Sequence, residues 1–147
     1  MKVVIQRVNK AKVSVFGSGK VVGEIQKGLF ILVAVKKGDS LKQAEELALK
    51  VIKMRIMADR QEKMNLAVTD VEGAILAVSQ FTLYANTKDG NRPSFIEAEL
   101  PEKAREIYEH FVKILREKGA KVETGSFGKY MIIEARLDGP VTIVVEN

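Results

Sequence analysis

Apolar and polar positions alternate along much of the chain with the two-residue period of β-strands, interrupted twice by helical spacing. Residues 29–35 are apolar throughout and follow Gly28, which predicts a central strand buried on both faces. Gly17 and Gly19 predict a hairpin turn, because glycine readily adopts positive φ. The predicted strands are residues 2–8, 12–16, 20–25, 29–35, 74–78, 121–124, 130–136 and 141–146.

Two segments have the three- and four-residue apolar spacing of amphipathic helices. The first begins near Ser40, which stands three residues before Gln43 in the spacing of a capping box. The second begins around Pro101, a residue tolerated in the first helical turn, and ends at Gly119. Polar turns or loops are predicted at 59–63 and 88–93. Long strands with two segregated helices predict an α+β domain, with the helices packed on a curled, barrel-like, largely antiparallel sheet.

Length and composition predict one domain over residues 1–147. The chain has a mass of 16.3 kDa and is 46% apolar, which is enough to fill one core. It contains no cysteine, which excludes disulfides, thiolate zinc sites and cysteine nucleophiles, and favours the cytoplasm. The longest apolar run, residues 29–35, is far below the ~20 residues of a membrane helix, so no membrane association is expected.

The formal charge of +5 and the sequence pI of about 9.4 favour a polyanionic partner such as RNA. However, the 24 basic and 19 acidic residues are spread along the sequence. An ordinary solvated basic surface explains the charge equally well.

A polar cluster follows the apolar strand at 74–78, in the stretch SQFTLYA. Ser79, Gln80 and Thr82 stand where the strand pattern has just predicted a core. Buried hydroxyl and amide groups cost stability unless they find partners, so the cluster indicates either a bonded structural network or a site. As a site, it is suited to hold a carbonyl group and its developing oxyanion.

Few residues are available as a catalytic base. The only histidine, His110, lies on the polar side of the second predicted helix. Without a paired histidine, Ser-His-Asp and Cys-His catalysis and His-rich metal sites are excluded. The carboxylates alternate with Lys and Arg, as on solvated faces. We therefore expect a site that contributes hydrogen-bond donors, shape and positioning, with no metal and no cofactor.

Two further features stand out from the strand pattern. Arg7 shares a strand face with Val3 and Ile5 that otherwise looks buried, so it requires carbonyl or carboxylate partners or a path to solvent. Near the carboxyl terminus, Pro140 follows Gly139 between two predicted strands and cannot donate a ladder hydrogen bond. From these residues alone, a plain turn is the preferred interpretation.

Several motifs occur in a characteristic order over the whole chain. They are IQRV at 5–8, KMNL at 63–66, SQFTLYA at 79–85, NRPSF at 91–95, TGSFGKYM at 124–131 and GPVT at 139–142. Together they resemble the D-aminoacyl-tRNA deacylase family. The resemblance implies a cytoplasmic, homodimeric tRNA-editing hydrolase that cleaves the ester between a D-amino acid and the terminal adenosine of tRNA. It also implies activity on glycyl-tRNA mischarged on tRNA-Ala.

The resemblance assigns roles to particular residues around the reacting ester. The strand end would form the floor of the site, and the family mechanism uses the ribose 2′-hydroxyl of tRNA to assist hydrolysis. A competing mechanism makes Thr82 a covalent nucleophile, which the missing base disfavours. Phe127 and Met131 match positions near the adenine, where an aromatic face stacks on the base. The residues implied for the floor are Ser79, Gln80, Phe81 and Thr82.

The resemblance also implies a chiral filter. The bond between Gly139 and Pro140 would be cis and would enter the neighbouring subunit's pocket, where its carbonyls hold the substrate amino group and leave no room for an L side chain. Arg7 would brace this loop. One departure is Leu137, which stands where the family usually has Asn and cannot make the amide hydrogen bonds that support the loop.

Two other functions compete with this interpretation. One is a nucleic-acid-binding module without catalysis, as in the related DNA-unwinding-element binding proteins. Those carry an added carboxyl-terminal segment, whereas this sequence ends at Asn147 directly after its last predicted strand. The other is a structural homo-oligomer whose polar strand end is a bonded core network, in which case Thr82→Ala should unfold the protein.

Overall fold

A computed structural model describes residues 1–88 and 90–147 of the protein. The chain forms one curled sheet, a separate two-stranded hairpin, two α-helices and a 3₁₀ turn. The strands are β1 (Lys2–Val15), β2 (Val21–Ile25), β3 (Gly28–Ala34), β4 (Met57–Ala58), β5 (Met64–Leu66), β6 (Ala74–Ser79), β7 (Lys121–Thr124) and β8 (Met131–Glu146). The helices are α1 (Leu41–Ile52) and α2 (Pro101–Glu117), and the 3₁₀ turn is Phe81–Tyr84.

The long strand β1 organises the sheet. One edge of β1 pairs with β8 along most of its length, while the other edge pairs first with β3 and then with β2, all antiparallel. The predicted break at Asn9-Lys10 is therefore wrong. Polar residues there mark irregular pairing within one continuous strand, because the pairing with β8 shifts register between Val8 and Lys10.

The sheet is mixed and nearly closes on itself. β3, β6 and β7 pair in parallel, which completes the order β2-β1-β3-β6-β7. Gly23 of β2 lies so close to β7 that a Cβ atom on it would stand 2.7 Å from the carbonyl oxygen of Thr124. The glycine therefore permits the two end strands to approach. The α+β prediction, with a barrel-like sheet and two main helices, is confirmed.

Apolar residues fill the two faces of this sheet. The larger cluster lies where α1 and α2 pack on the sheet and includes Val3, Ile31, Leu47 and Phe111. A smaller cluster fills the inside of the curl. Alternate residues of β6 contribute to the two clusters. Ile75 and Ala77 belong to the larger cluster, and Leu76 and Val78 belong to the smaller one. Both faces of β3 are buried, as its unbroken apolar run predicts.

The last strand also departs from the prediction. The segments predicted at 130–136 and 141–146 belong to one strand, β8. Gln6 pairs with Thr142 and Val8 pairs with Leu137, so the single residue Arg7 stands opposite residues 138–141. These four residues form a bulge loop that protrudes from the ladder. The Gly139–Pro140 motif lies within it.

Local signals set the helix ends and turns. The backbone N–H of Ser40 donates to the side-chain oxygen of Gln43 over 2.9 Å, as in a capping box, and Pro101 opens α2. The polar turn at 59–63 joins β4 to β5. The predicted loop at 88–93 includes Asp89, which lies outside the described residues. No helix in the described part of the chain is long and apolar enough to span a bilayer.

Candidate active site

A deep cleft opens where β6 ends. It has a volume of about 890 Å³, within the range of small-molecule sites. Its floor is the end of β6 and the start of the 3₁₀ turn, and its walls come from the segment before α2 and from the segment that joins β7 to β8. The residues that define it are Val78, Ser79, Gln80, Phe81, Phe95, Leu100, Phe127 and Met131.

The polar end of β6 is held by backbone pairing. Ser79 pairs in register with Val33, and the Gln80 N–H donates to the carbonyl of Val33 over 2.8 Å. Beyond that point the chain turns, and the Gln80 amide donates to the hydroxyl of Thr82 over 2.5 Å. The first N–H groups of the following 3₁₀ turn have no acceptor within the turn. Strand end and turn thus supply polar groups on a fixed backbone.

An aromatic pair forms one side of the floor. The rings of Phe81 and Phe95 meet edge to face, with centroids 5.1 Å apart. Both rings are more than one-third exposed, so they present an apolar surface to the cleft. Phe95 belongs to the NRPSF motif, to which sequence analysis assigned no role.

Phe127 and Met131 lie together on the wall formed by the segment that joins β7 to β8 and by the first residue of β8. The Phe127 ring is 5.9 Å from that of Tyr108, and the Arg105 guanidinium lies 5.5 Å from its centroid. The backbone N–H of Ser126 points at the sulfur of Met131 over 3.2 Å. These contacts fix an aromatic face and a thioether at the cleft, the chemistry that suits a nucleobase.

Among the described residues that line the cleft, Glu99 is the one carboxylate, and its oxygens already accept hydrogen bonds. It accepts the N–H groups of Leu100 and Gly38 and lies 3.1 Å from the Lys103 ammonium. The hydrogen bond from Leu100, followed by that from Lys103, lowers the pKa of Glu99 below its usual range. A carboxylate held in this way is a weak base. The cleft thus offers donors and shape without a strong proton acceptor.

A second polar cluster surrounds Arg7. Its Nη1 donates to the carbonyl of Ile56 over 3.0 Å, and its Nε lies 3.0 Å from the Asp138 carboxylate in an ion pair. The N–H of this Nε is not aligned for a hydrogen bond with any described residue. Next to it, the Gly139–Pro140 peptide bond is cis, and Gly139 has φ +119°. Both residues of the motif are exposed.

The structure divides the predicted site residues into two groups. Ser79, Gln80, Phe81, Phe127 and Met131 line one cleft, and Thr82 is joined to them through Gln80. Arg7, Gly139 and Pro140 line no part of that cleft within the same chain.

Sequence analysis missed the two partners of Arg7 and the cation over Phe127. Asp138 stands beside the Gly-Pro motif and was available as a signal. By contrast, Ile56 acts through its backbone carbonyl, which no side-chain pattern reveals.

A sequence profile of the D-Tyr-tRNA(Tyr) deacylase family matches residues 4–146. The chain belongs to this family. The D-aminoacyl-tRNA deacylase of Lactobacillus gasseri is 51% identical over 146 residues, 99% of each chain. That of Aquifex aeolicus is 50% identical over 147 residues, 100% of this chain and 98% of the relative. The predicted family and enzyme class, D-aminoacyl-tRNA deacylase, are confirmed.

The fold is also that of a solved structure described as c-Myc DNA Unwinding Element Binding Protein. That protein is 35% identical to this chain and superposes on it with a TM-score of 0.93. The match covers 100% of this chain and 99% of that protein's chain. The deacylase family and this DNA-binding protein therefore share one architecture.

Proposed function

We propose that the protein hydrolyses the ester that joins a D-amino acid to the terminal adenosine of tRNA, releasing free D-amino acid and tRNA. The observation that carries the proposal is the polar end of β6. In a member of this family, Ser79, Gln80 and Thr82 form a polar group at a cleft of about 890 Å³ whose described lining residues include no strong base. Ester hydrolysis in such a site depends on positioning and on stabilising the oxyanion.

The tRNA itself completes the chemistry. Water attacks the ester carbonyl carbon, the carbonyl electrons move to oxygen, and donors at Ser79–Thr82 stabilise the resulting oxyanion. The bond to the ribose 3′-oxygen then breaks. The 2′-hydroxyl takes the proton of the attacking water and passes a proton to the departing 3′-oxygen, so the protein needs no base of its own. The adenine stacks on Phe127 beside Met131.

The site acts at the interface of a homodimer. Gly139 and Pro140 are exposed on a braced loop and lie outside the cleft of their own chain. This arrangement suits a loop that enters the partner's cleft, holds the substrate amino group with its carbonyls and excludes an L side chain. Glycine has no side chain to exclude, so glycyl-tRNA mischarged on tRNA-Ala is a further substrate. The hydrolysis takes place in the cytoplasm, where aminoacyl-tRNA is used.

The decisive assay compares D-Tyr-tRNA with L-Tyr-tRNA. Purified protein should release D-tyrosine catalytically and leave L-Tyr-tRNA intact. Absence of turnover with stoichiometric protein contradicts the proposal. A second substrate tests the mechanism: D-Tyr-tRNA ending in 2′-deoxyadenosine should be hydrolysed at least 100-fold more slowly. Equal rates for the two tRNAs would show that a group of the protein acts as the base.

DNA binding is the second candidate function, favoured by the similarity to the DNA-unwinding-element binding protein. The formal charge of +5 is compatible with either nucleic acid. Tight binding of duplex DNA together with no deacylation would reverse the order of the two functions.

A further inference from the structure

The KMNL motif lies on a hairpin that follows the basic end of α1 and has no role in the site described above. The hairpin consists of β4, the turn at 59–63 and β5, and it forms a sheet of its own. Residues 50–66, from the end of α1 to the end of the hairpin, contain five basic and two acidic residues, a formal +3 of the chain's +5, while residues 57–66 alone contain two of each. The positive charge of the chain is therefore weighted toward this stretch of the sequence.

The carboxylate of Asp59 accepts hydrogen bonds from three groups of the hairpin. One carboxylate oxygen accepts the N–H groups of Gln61 and Lys63 over 2.8 and 3.0 Å, and the other accepts the side-chain amide of Asn65 over 2.7 Å. Arg55 donates to the carbonyl of Asn65 over 2.6 Å. The bond from Asn65 is the largest cause that lowers the pKa of Asp59. The acidic group is thus directed into the turn.

The basic side chains remain exposed. No carboxylate of the described residues lies within 4.0 Å of any of their charged groups, although ten such pairs occur elsewhere in the described chain. Glu62 is the acidic residue on the outside of the turn. The five basic residues are Lys50, Lys53, Arg55, Arg60 and Lys63. A fixed turn with unpaired cations suits a ligand that carries regularly spaced negative charges.

The hairpin is physically joined to the loop that contains Gly139. Arg7 bonds the carbonyl of Ile56, directly before β4, and also pairs with Asp138. In the dimer proposed above, this loop reaches the partner's cleft. On that proposal, the hairpin lies near the partner's cleft, into which the acceptor end of a bound tRNA has to pass.

We propose that this hairpin binds the phosphate backbone of the tRNA acceptor stem, through Arg60 and Lys63 at its tip. The inference rests on the proposed function for the identity of the RNA. Phosphate contacts of this kind position a nucleic acid without reading its sequence. They add affinity for whole tRNA and leave the chemistry at the ester unchanged.

The test measures binding of uncharged tRNA to the full chain carrying Arg60→Ala and Lys63→Ala together. Neither side chain makes a hydrogen bond to a described residue, so the fold should persist. The Kd for tRNA should rise at least 10-fold, and the slope of log K against log salt should become shallower by about two. The matched control is Lys42→Ala with Lys113→Ala, which changes the net charge equally on the exposed faces of α1 and α2 and should leave the Kd within 2-fold.

A small substrate separates this inference from the proposed function. The Arg60→Ala, Lys63→Ala protein should hydrolyse D-tyrosyl-adenosine at the wild-type rate while its KM for D-Tyr-tRNA rises. If the wild-type protein hydrolyses neither ester, the proposed function fails, and the binding comparison still decides the role of the hairpin. Unchanged tRNA affinity in the hairpin variant, or an equal loss in the control, would overturn the inference.

Discussion

The guanidinium of Arg7 lies 3.0 Å from the carboxylate of Asp138, the residue before the Gly139–Pro140 motif. Arg7 is also the residue of β1 that stands opposite the bulge of β8. A half-buried strand position thus carries an arginine because the neighbouring strand leaves its ladder there. The ion pair ties the loop to β1 next to Leu137, whose side chain has no polar group.

Replacing Arg7 tests its support of the loop. Arg7→Lys keeps the charge and loses the planar fork that reaches Ile56 and Asp138 together. We expect a loss of about 1–3 kcal/mol in the free energy of unfolding. The ratio of D-Tyr-tRNA to L-Tyr-tRNA hydrolysis should fall at least 10-fold. Denaturant titration and paired deacylation assays measure the two effects, and an unchanged ratio would show that the loop does not depend on Arg7.

Gly139 should not tolerate a side chain. Its φ of +119° is rarely adopted by L residues, and a Cβ would lie 3.0 Å from the backbone nitrogen of Val141. Gly139→Ala should cost about 1–3 kcal/mol of stability and relax the rejection of L-Tyr-tRNA. The neighbouring exposed change Leu137→Ala is the control and should preserve selectivity. Full selectivity in Gly139→Ala would remove the loop from the filter.

A cysteine near the middle of β8 should cross-link the dimer. In a two-fold dimer, residue j of one chain contacts residue i of the other whenever i contacts j. The axis therefore passes close to the point midway between residues i and j of the same chain. If the loop of the proposed dimer brings Pro140 of one subunit against Met131 in the partner's cleft, the axis passes near residues 135 and 136. The chain has no cysteine, so Ala135→Cys and Arg136→Cys are clean probes.

At least one of these two variants should form a disulfide-linked dimer in air, visible on a non-reducing gel. Lys42→Cys on α1 is the control and should remain unlinked. Monomers throughout, by gel and by light scattering, would contradict the interface proposed above.

Thr82 should matter for turnover and not for folding. Its side chain is exposed and bonds the Gln80 amide. Thr82→Ala should therefore keep the wild-type midpoint of thermal unfolding within a few degrees, because exposed substitutions cost little stability. If Thr82 only positions the substrate, kcat should fall about 10- to 1,000-fold, with residual multiple turnover. Complete loss of turnover, with an acyl-enzyme trapped in the wild-type protein, would favour the nucleophile mechanism.

The lowered pKa of Asp59 predicts how acid affects the hairpin. Its pKa is lowered in the folded protein by the bonds from Asn65, Lys63 and Gln61. Its contribution to stability is therefore fully present above the unfolded value of about 3.9 and is lost as the pH falls through the lower folded value. The amide resonances of Gln61 and Lys63 should stay constant from pH 7 to about pH 5 and shift only in stronger acid. In Asp59→Asn, the acid-dependent shift should be absent.

The boundaries of the regular elements followed from local patterns wherever the local signal was strong. Both helices, the polar turn at 59–63 and the buried strand β3 were predictable, because their apolar spacing, caps and turn residues are close in sequence, whereas the short strands β4 and β5 on either side of that turn were not predicted. Asn9 and Lys10 misled the prediction because exposed polar residues interrupt the pattern of a strand without breaking its backbone. The same ambiguity concealed the continuity of β8 through its bulge.

By itself, the sequence determined the fold class, the family and the polar end of β6, because apolar periodicity and ordered motifs are properties of the chain alone. Only the tertiary structure decided that Phe127, Met131 and Ser79 line one cleft, and that Arg7, Asp138 and the carbonyl of Ile56 meet. These contacts join residues far apart in sequence, and one of them uses a backbone atom common to every residue. Their positions depend on how the sheet curls and where β8 bulges, which no local pattern encodes.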